Sequence, residues 1–320
     1  MYYPLLKDYE RLKMLEIPEN GILDIVLDTD AFNEIDDQFA IMYALRSKER
    51  INLRALYAAP FSRSAHINEE MFACSGSVEA GEGMELSYQE IIRIMKIINV
   101  NTDGFVFRGV DRFMESETLP VKNSAAEDLI NKANNYSSER PLYVVAIGAP
   151  TNIASAIVMN PEIIRKIVVI WQGGNVPSWP HTDDYNLKQD IYASRVLLNS
   201  GVPLIQVPAM GGTDALLTTG YELEHYLADG GEVARYLLEN VKQFISRQKD
   251  NYAYAKEIWD IGTISLLINR SWMPSYIIHS PVLTDGLLWA HDPRRHLIKT
   301  VYYVDRNNIM GDMLKKIHNI

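Results

Sequence analysis

Strand-like and helix-like segments alternate along almost the whole chain, and this alternation limits the possible folds more than any other feature. Apolar runs that read as strands fall at residues 22–29, 53–59, 142–147, 167–171, 204–207 and 298–304. Segments that read as helices fall at 37–47, 88–98, 124–134, 152–159, 191–199, 232–248, 261–269 and 310–317. A helix between two strands returns the chain across a sheet face, so successive strands run parallel. Val144-Val145-Ala146-Ile147 and Ile167-Val168-Val169-Ile170 lack apolar–polar alternation, as strands buried on both faces do. The expected class is α/β: an open, mainly parallel, twisted sheet with helices on both faces.

With 320 residues, the chain can bury one large α/β core or two modest ones. No Pro/Gly/Ser-rich linker divides it, and no repeat or low-complexity tract is present. The expected organisation is an N-terminal helical arm over 1–20 and a single domain over 21–320. Residues 61–83 have little regular pattern and carry Gly76, Gly81 and Gly83. That segment reads as a long loop, either a binding loop or lid or a plain surface excursion.

A net charge of −10 argues against nucleic acid or an anionic membrane as partner, since neither would be attracted. The lone cysteine, Cys74, rules out an internal disulfide and fits a reducing cytosol. Its neighbours give no sign of nucleophile activation. The first ten residues are charged too early for a signal peptide, and no apolar run is long enough for a bilayer. The expectation is a soluble, cytoplasmic protein acting on a small molecule.

The chemistry concentrates at the end of the first strand. Asp28-Thr29-Asp30-Ala31-Phe32-Asn33-Glu34-Ile35-Asp36-Asp37 places five acids in ten positions. Alternation along a strand sends Asp28 and Asp30 to one face. Asp36 and Asp37 open the following helix, where negative charge is favoured. Open α/β sheets bind ligands at the C-terminal ends of their strands. Carboxylates crowded there repel one another unless a cation joins them, and an all-oxygen set suits a hard ion, Ca²⁺ or Mg²⁺. The plainer alternative, a polar loop with one Asp as helix cap, accounts for one acid and leaves four.

Three later turns follow strands or open helices. Gly148-Ala149-Pro150-Thr151-Asn152 offers backbone carbonyls to a hard cation, or a Thr151 helix cap. Gly173-Gly174-Asn175 leads to Asp183-Asp184-Tyr185-Asn186, whose amides and carboxylates suit sugar hydroxyls or simply a polar loop. Trp259-Asp260 opens an apolar helix, where Asp260 is a cap or a metal ligand beside a flat aromatic wall.

Taken in order, Asp28-x-Asp30, Asp36-Asp37, Gly148…Pro150-Thr151-Asn152, Gly173-Gly174-Asn175, Tyr185-Asn186 and Asp260 resemble the inosine–uridine-preferring nucleoside hydrolases. The resemblance runs from about residue 22 to 306. It implies the nucleoside hydrolase fold, Rossmann-like in architecture, and one bound Ca²⁺. It places Asp30, Asp37, Asp260 and the Thr151 carbonyl on the ion. It places Asp36, Asn175, Asp184 and Asn186 on ribose hydroxyls, with Asp28 on the ribose side or behind the ligands. Asp30 would accept the attacking water's proton. It also suggests a homodimer or homotetramer and a role in purine salvage.

The chain departs from the family pattern at four points. Five residues separate Asp30 from Asp36 where three are usual, which gives Asn33 or Glu34 a route into the site. Pro60-Phe61 stands where an Asn is usual. Asp184 replaces a longer Glu. Trp259 replaces a His that protonates the leaving base, as in the purine-preferring branch. Stacking on Trp259, beside Tyr185, could then ease base departure, with His181 as a rival acid. Two other classes compete. A haloacid-dehalogenase-like phosphatase also opens with Asp-x-Asp, but Phe32-Asn33 stands where its Thr belongs. A nucleoside- or sugar-binding protein could keep the metal site without turnover.

Overall fold

A computed structural model describes residues 3–63, 77–249 and 252–319. The strands are β1 (Leu23–Thr29), β2 (Ile51–Ala58), β3 (Val106–Arg108), β4 (Leu142–Ala146), β5 (Ile167–Gln172), β6 (Leu204–Val207), β7 (Leu217–Thr218), β8 (Lys256–Glu257), β9 (Ser275–His279), β10 (Val282–Leu283), β11 (Trp289–Ala290) and β12 (Leu297–Val301). The helices are α1 (Asp8–Met14), α2 (Asp37–Arg46), α3 (Ala80–Ile97), α4 (Ser124–Ala133), α5 (Thr151–Met159), α6 (Tyr185–Gln189), α7 (Ile191–Asn199), α8 (Gly220–Leu227), α9 (Glu232–Ser246), α10 (Ile261–Ile268) and α11 (Arg306–His318).

Eight strands form the main sheet in the order β3-β2-β1-β4-β5-β6-β12-β9. All neighbours pair in parallel except β12 and β9, which are antiparallel. The order reverses at β1, between β2 and β4, and such a switch point opens a crevice at the strands' C-terminal ends. β7–β8 and β10–β11 are separate two-stranded ribbons.

The apolar runs are buried on both faces, as their lack of alternation implies. Ile25 and Leu27 of β1, Val145 of β4 and Ile170 of β5 pack on one side with α2, α3, α8, α9, α10 and α11. Val26, Val144 and Val169 pack on the other with α4, α5 and α7. Short strands with long helical crossovers follow from these sequences: β-branched residues fill the strands, and the helices carry their apolar residues along a stripe.

Residues 61–83 differ from the loop expectation at their C-terminal end. α3 already starts at Ala80, so Gly81 and Gly83 are helical. A Cβ on Gly83 would lie 2.0 Å from the Phe61 carbonyl oxygen. The glycine therefore reflects a close helix-to-backbone approach, not a flexible turn. Cys74 and Gly76 lie outside the described residues. The arm contains α1, and Lys299 ties its end to the sheet by donating to the Leu15 carbonyl at 3.0 Å. Among the described residues no helix is long and apolar enough to cross a membrane.

Candidate active site

The C-terminal ends of β1, β4, β5 and β6 open onto a cavity of about 350 Å³. Asp30, Asn33, Glu34, Asp36 and Asp37 line it from the β1–α2 connection, and Asp260 from the start of α10. Asp36 and Asp260 occupy helix-cap positions, yet neither side chain makes a capping hydrogen bond. Their carboxylates point instead toward Asp37. One oxygen each from Asp36, Asp37 and Asp260 fall within 4.8 Å of one another. The positive ends of α2 and α10 both meet at this point, which favours negative charge.

Asp30 sits beside this trio. Its Oδ2 accepts from the Asn33 amide at 3.0 Å. Gly148 makes room for it, since a Cβ there would lie 2.8 Å from Asp30 Oδ1. Asp37 accepts a short hydrogen bond from the Thr29 hydroxyl. Burial, then Asp36 and Glu34, raise the Asp30 carboxyl well above the usual range. Burial with Asp30 and Asp36 does the same to Asp37, and burial with Asp36, Asp37 and Asp30 to Asp260. Asp36 is pushed up to about 7 by burial and Glu34, against the pull of Lys256. Lys256 is the one cation lining the cavity among the described residues, and it is tied to Glu34 at 2.5 Å. Four buried carboxylates are thus left facing each other. Oxygen-only donors at this spacing fit a hard divalent cation.

This charge crowding has a measurable consequence. Asp36 binds its proton more tightly folded (about 7) than in the unfolded chain, where the ordinary value is 3.8. Its contribution to stability is therefore present below about pH 4 and lost as pH rises toward 7. In chelator, Asp36→Asn should melt at a higher temperature than the parent near neutral pH, with the gain vanishing at acid pH. Identical melting curves near neutrality would show that the cluster carries no such strain.

The sugar-side candidates gather on the opposite wall. Asn175, Asp184, Tyr185 and Asn186 all line the cavity. Residues 185–189 form α6, which Asp184 caps by accepting from the Leu187 amide at 3.0 Å. The same oxygen accepts from the Gly174 amide at 2.9 Å. Burial nonetheless raises Asp184 to about 6. Asn186 donates to the Ile147 and Gln172 carbonyls at 2.9 and 3.1 Å, stitching the ends of β4 and β5 together. Asn175 donates to the His181 carbonyl and accepts from the Met210 amide. Tyr185 donates to the Ser62 carbonyl at 2.6 Å, which fixes its ring against the residue 61–63 backbone. Trp259 is half-buried on the cavity wall next to Asp260.

Three expected site residues do not line the cavity. Asp28 is fully buried behind it, its carboxyl pushed up to about 7 by burial despite a 2.7 Å hydrogen bond from Asn152. Thr151 is the first residue of α5, and its hydroxyl donates to Asp190 at 2.9 Å. Ile147, at the same strand end, does line the cavity. His181 is exposed, and its ring nitrogen accepts from the Asp183 amide at 3.3 Å. It turns away because its loop is held by Asn175 and Thr182. Asp36, expected on ribose, lies with Asp37 and Asp260, and Asp30 adjoins them.

Behind the floor, Asn152 makes three hydrogen bonds. It donates to Asp28 and to the Ala58 carbonyl, and accepts from the Val110 amide. Lys256, Glu257, Gln172 and Met210 also line the cavity. Only Lys256 among them carries a sequence signal, a cation four residues before Asp260, and nothing in its surroundings marks it as buried.

The model of the family described as inosine-uridine preferring nucleoside hydrolase matches residues 25–309. A curated relative, the pyrimidine-specific ribonucleoside hydrolase RihA of Escherichia coli (strain SMS-3-5 / SECEC), is 23% identical over 235 residues, covering 71% of this chain and 73% of that protein. Among solved structures, the plant nucleoside hydrolase PpNRh1 superposes with a TM-score of 0.71 at 20% identity, covering 94% of this chain and 100% of that one. The purine-preferring ribonucleoside hydrolase from Gardnerella vaginalis gives 0.67 at 18% identity, covering 92% and 98%. With a family match across most of its length and a cavity built where that fold places its ligands, the chain belongs to the inosine-uridine preferring nucleoside hydrolase family.

Proposed function

We propose that this enzyme is a Ca²⁺-dependent nucleoside N-ribohydrolase that favours purine ribonucleosides. The observation that carries the reading is the juxtaposition, in one cavity, of a buried carboxylate cluster and the ring of Trp259. Cleaving an N-glycosidic bond builds positive charge on the sugar, which a bed of carboxylates stabilises. Asp36, Asp37 and Asp260, with Asp30 adjoining, would hold a hard cation, which would supply Lewis acidity that eases deprotonation of water and helps orient hydroxyls.

Asp30 accepts the proton of the attacking water, and Asn33 holds that carboxyl in place. Asn175, Asp184 and Asn186 orient the ribose, so that positioning supplies part of the rate. Trp259 stacks on the base. A nucleotide fits poorly, because the lining carries eight acids against a single, already paired cation. The family assignment sets aside the phosphatase and binding-protein alternatives.

The test is ribose release from inosine, adenosine, guanosine, uridine and cytidine, with Ca²⁺ and with excess chelator. Purines should be cleaved fastest, since stacking is worth roughly 1–3 kcal/mol per base and N7 can take up a proton that uracil has no ring nitrogen to accept. Trp259→Ala should therefore lose purine activity, by about fivefold or more for the lower end of that range, while keeping its ion. Uridine as best substrate, or a silent Trp259→Ala, would refute the stacking argument. A cytoplasmic role in base salvage and a homodimer or homotetramer belong to the same proposal. The exposed β9 edge, with Tyr276 and Ile277, supports association; light scattering on the purified protein would detect it.

A further inference from the structure

Lys256 has no part in the scheme above, yet it is the cavity's one cation among the described residues. Its side chain is 7% exposed and Glu34, its partner, 16%. Burying a lysine is costly unless it is paired. Here the longer connection between Asp30 and Asp36 carries the partner in. The ammonium lies 2.5 Å from Glu34, 4.0 Å from Glu257 and 5.9 Å from the centre of the Trp259 ring. β8 fixes the backbone of Lys256 by pairing it with Thr218.

One role for such a lysine is to neutralise the acid cluster. Glu34 argues against it, because the pair brings no net charge to the four carboxylates. What the pair does create is a fixed dipole whose positive end lies near the wall where a base would stack. Negative charge develops there during the reaction. As the bond from C1′ to the base nitrogen breaks, its electron pair moves onto the base. Water oxygen bonds to C1′, that water's proton goes to Asp30, and the base takes a proton from solvent.

We propose that Lys256, positioned by Glu34, donates a hydrogen bond to the departing base, stabilises the electron pair it receives, and favours bases that carry a carbonyl oxygen. An ammonium offers three N–H donors and no acceptor. It therefore suits the oxygen of hypoxanthine or guanine and not the amino group of adenine. This rests on the nucleoside hydrolase reading above, with Lys256 keeping its proton throughout.

The experiment compares parent, Lys256→Met, Lys256→Arg and Glu34→Gln, all with Ca²⁺, on inosine, adenosine and p-nitrophenyl riboside. The nitrophenolate leaves without assistance. Lys256→Met should lower kcat on inosine by on the order of 10²-fold, the usual cost of one preorganised donor. It should lose far less on p-nitrophenyl riboside, and its preference for inosine over adenosine should narrow. Lys256→Arg should recover part of the loss, and Glu34→Gln should show the same split between substrates at smaller size. Equal losses on inosine and p-nitrophenyl riboside, or parental inosine turnover by Lys256→Met, would overturn the proposal. Should Lys256→Met not fold, judged by circular dichroism, the other two variants decide, and the absence of a split in both overturns it. A parent that cleaves no nucleoside refutes the underlying reading; an active parent with unsplit variants refutes this inference alone.

Discussion

Replacing Asp30 by Asn should lower kcat by about 10²–10⁴-fold while leaving KM for inosine nearly unchanged. The substitution keeps volume and shape but removes the only proton acceptor that the site places beside the acid trio with an amide to steady it. Burial and the neighbouring acids raise this carboxyl's affinity for a proton, which suits a base that must take one during the reaction. The acceptor is needed mainly in the transition state, so the loss belongs in kcat. Single-turnover kinetics with the metal-loaded variant would separate the two constants. A near-parental kcat would move the role to another lining acid, and Glu34 would be the first to examine.

The second large effect concerns the ion. The parent should keep about one Ca²⁺ per chain through purification, whereas Asp37→Asn should emerge with little metal and with turnover reduced in proportion. Asp37 is central to the trio, is 2% exposed, and is held by the Thr29 hydroxyl. Its loss removes a charged oxygen that a neutral amide replaces only weakly. Metal content by mass spectrometry and ribose release on the same samples give the comparison. Full parental activity in excess chelator would end the metal hypothesis, whatever the variant does.

Much of this arrangement was legible in the residues. Every strand read from an apolar run lies in the central sheet. The acid run was found at a strand end because no packing role explains so many carboxylates together. What escaped notice had weak local signals. β3 spans three residues, and β9 exposes most of its side chains at an edge, so neither shows the buried pattern used to find the others. α6 is a single capped turn within a polar stretch. Ile147 lines the cavity as an apolar residue at the end of a buried strand, where its sequence reads only as core. Lys256 is brought to Glu34 across 222 residues of chain, a pairing that only the tertiary fold creates.

Asn152 ties β1, β2 and the segment after β3 to one another through a single buried amide. The platform beneath the sugar is therefore clamped at the level of the backbone. Trp259, Lys256 and Met210, which the proposed reading places nearest the base, sit on short ribbons and loops outside that clamp. On that reading, the two halves of the substrate meet parts of the molecule under different mechanical constraint. Evolution can exchange the base-reading rim piecemeal without disturbing the anvil on which the glycosidic bond is broken, and so one scaffold can serve relatives with opposite base preferences.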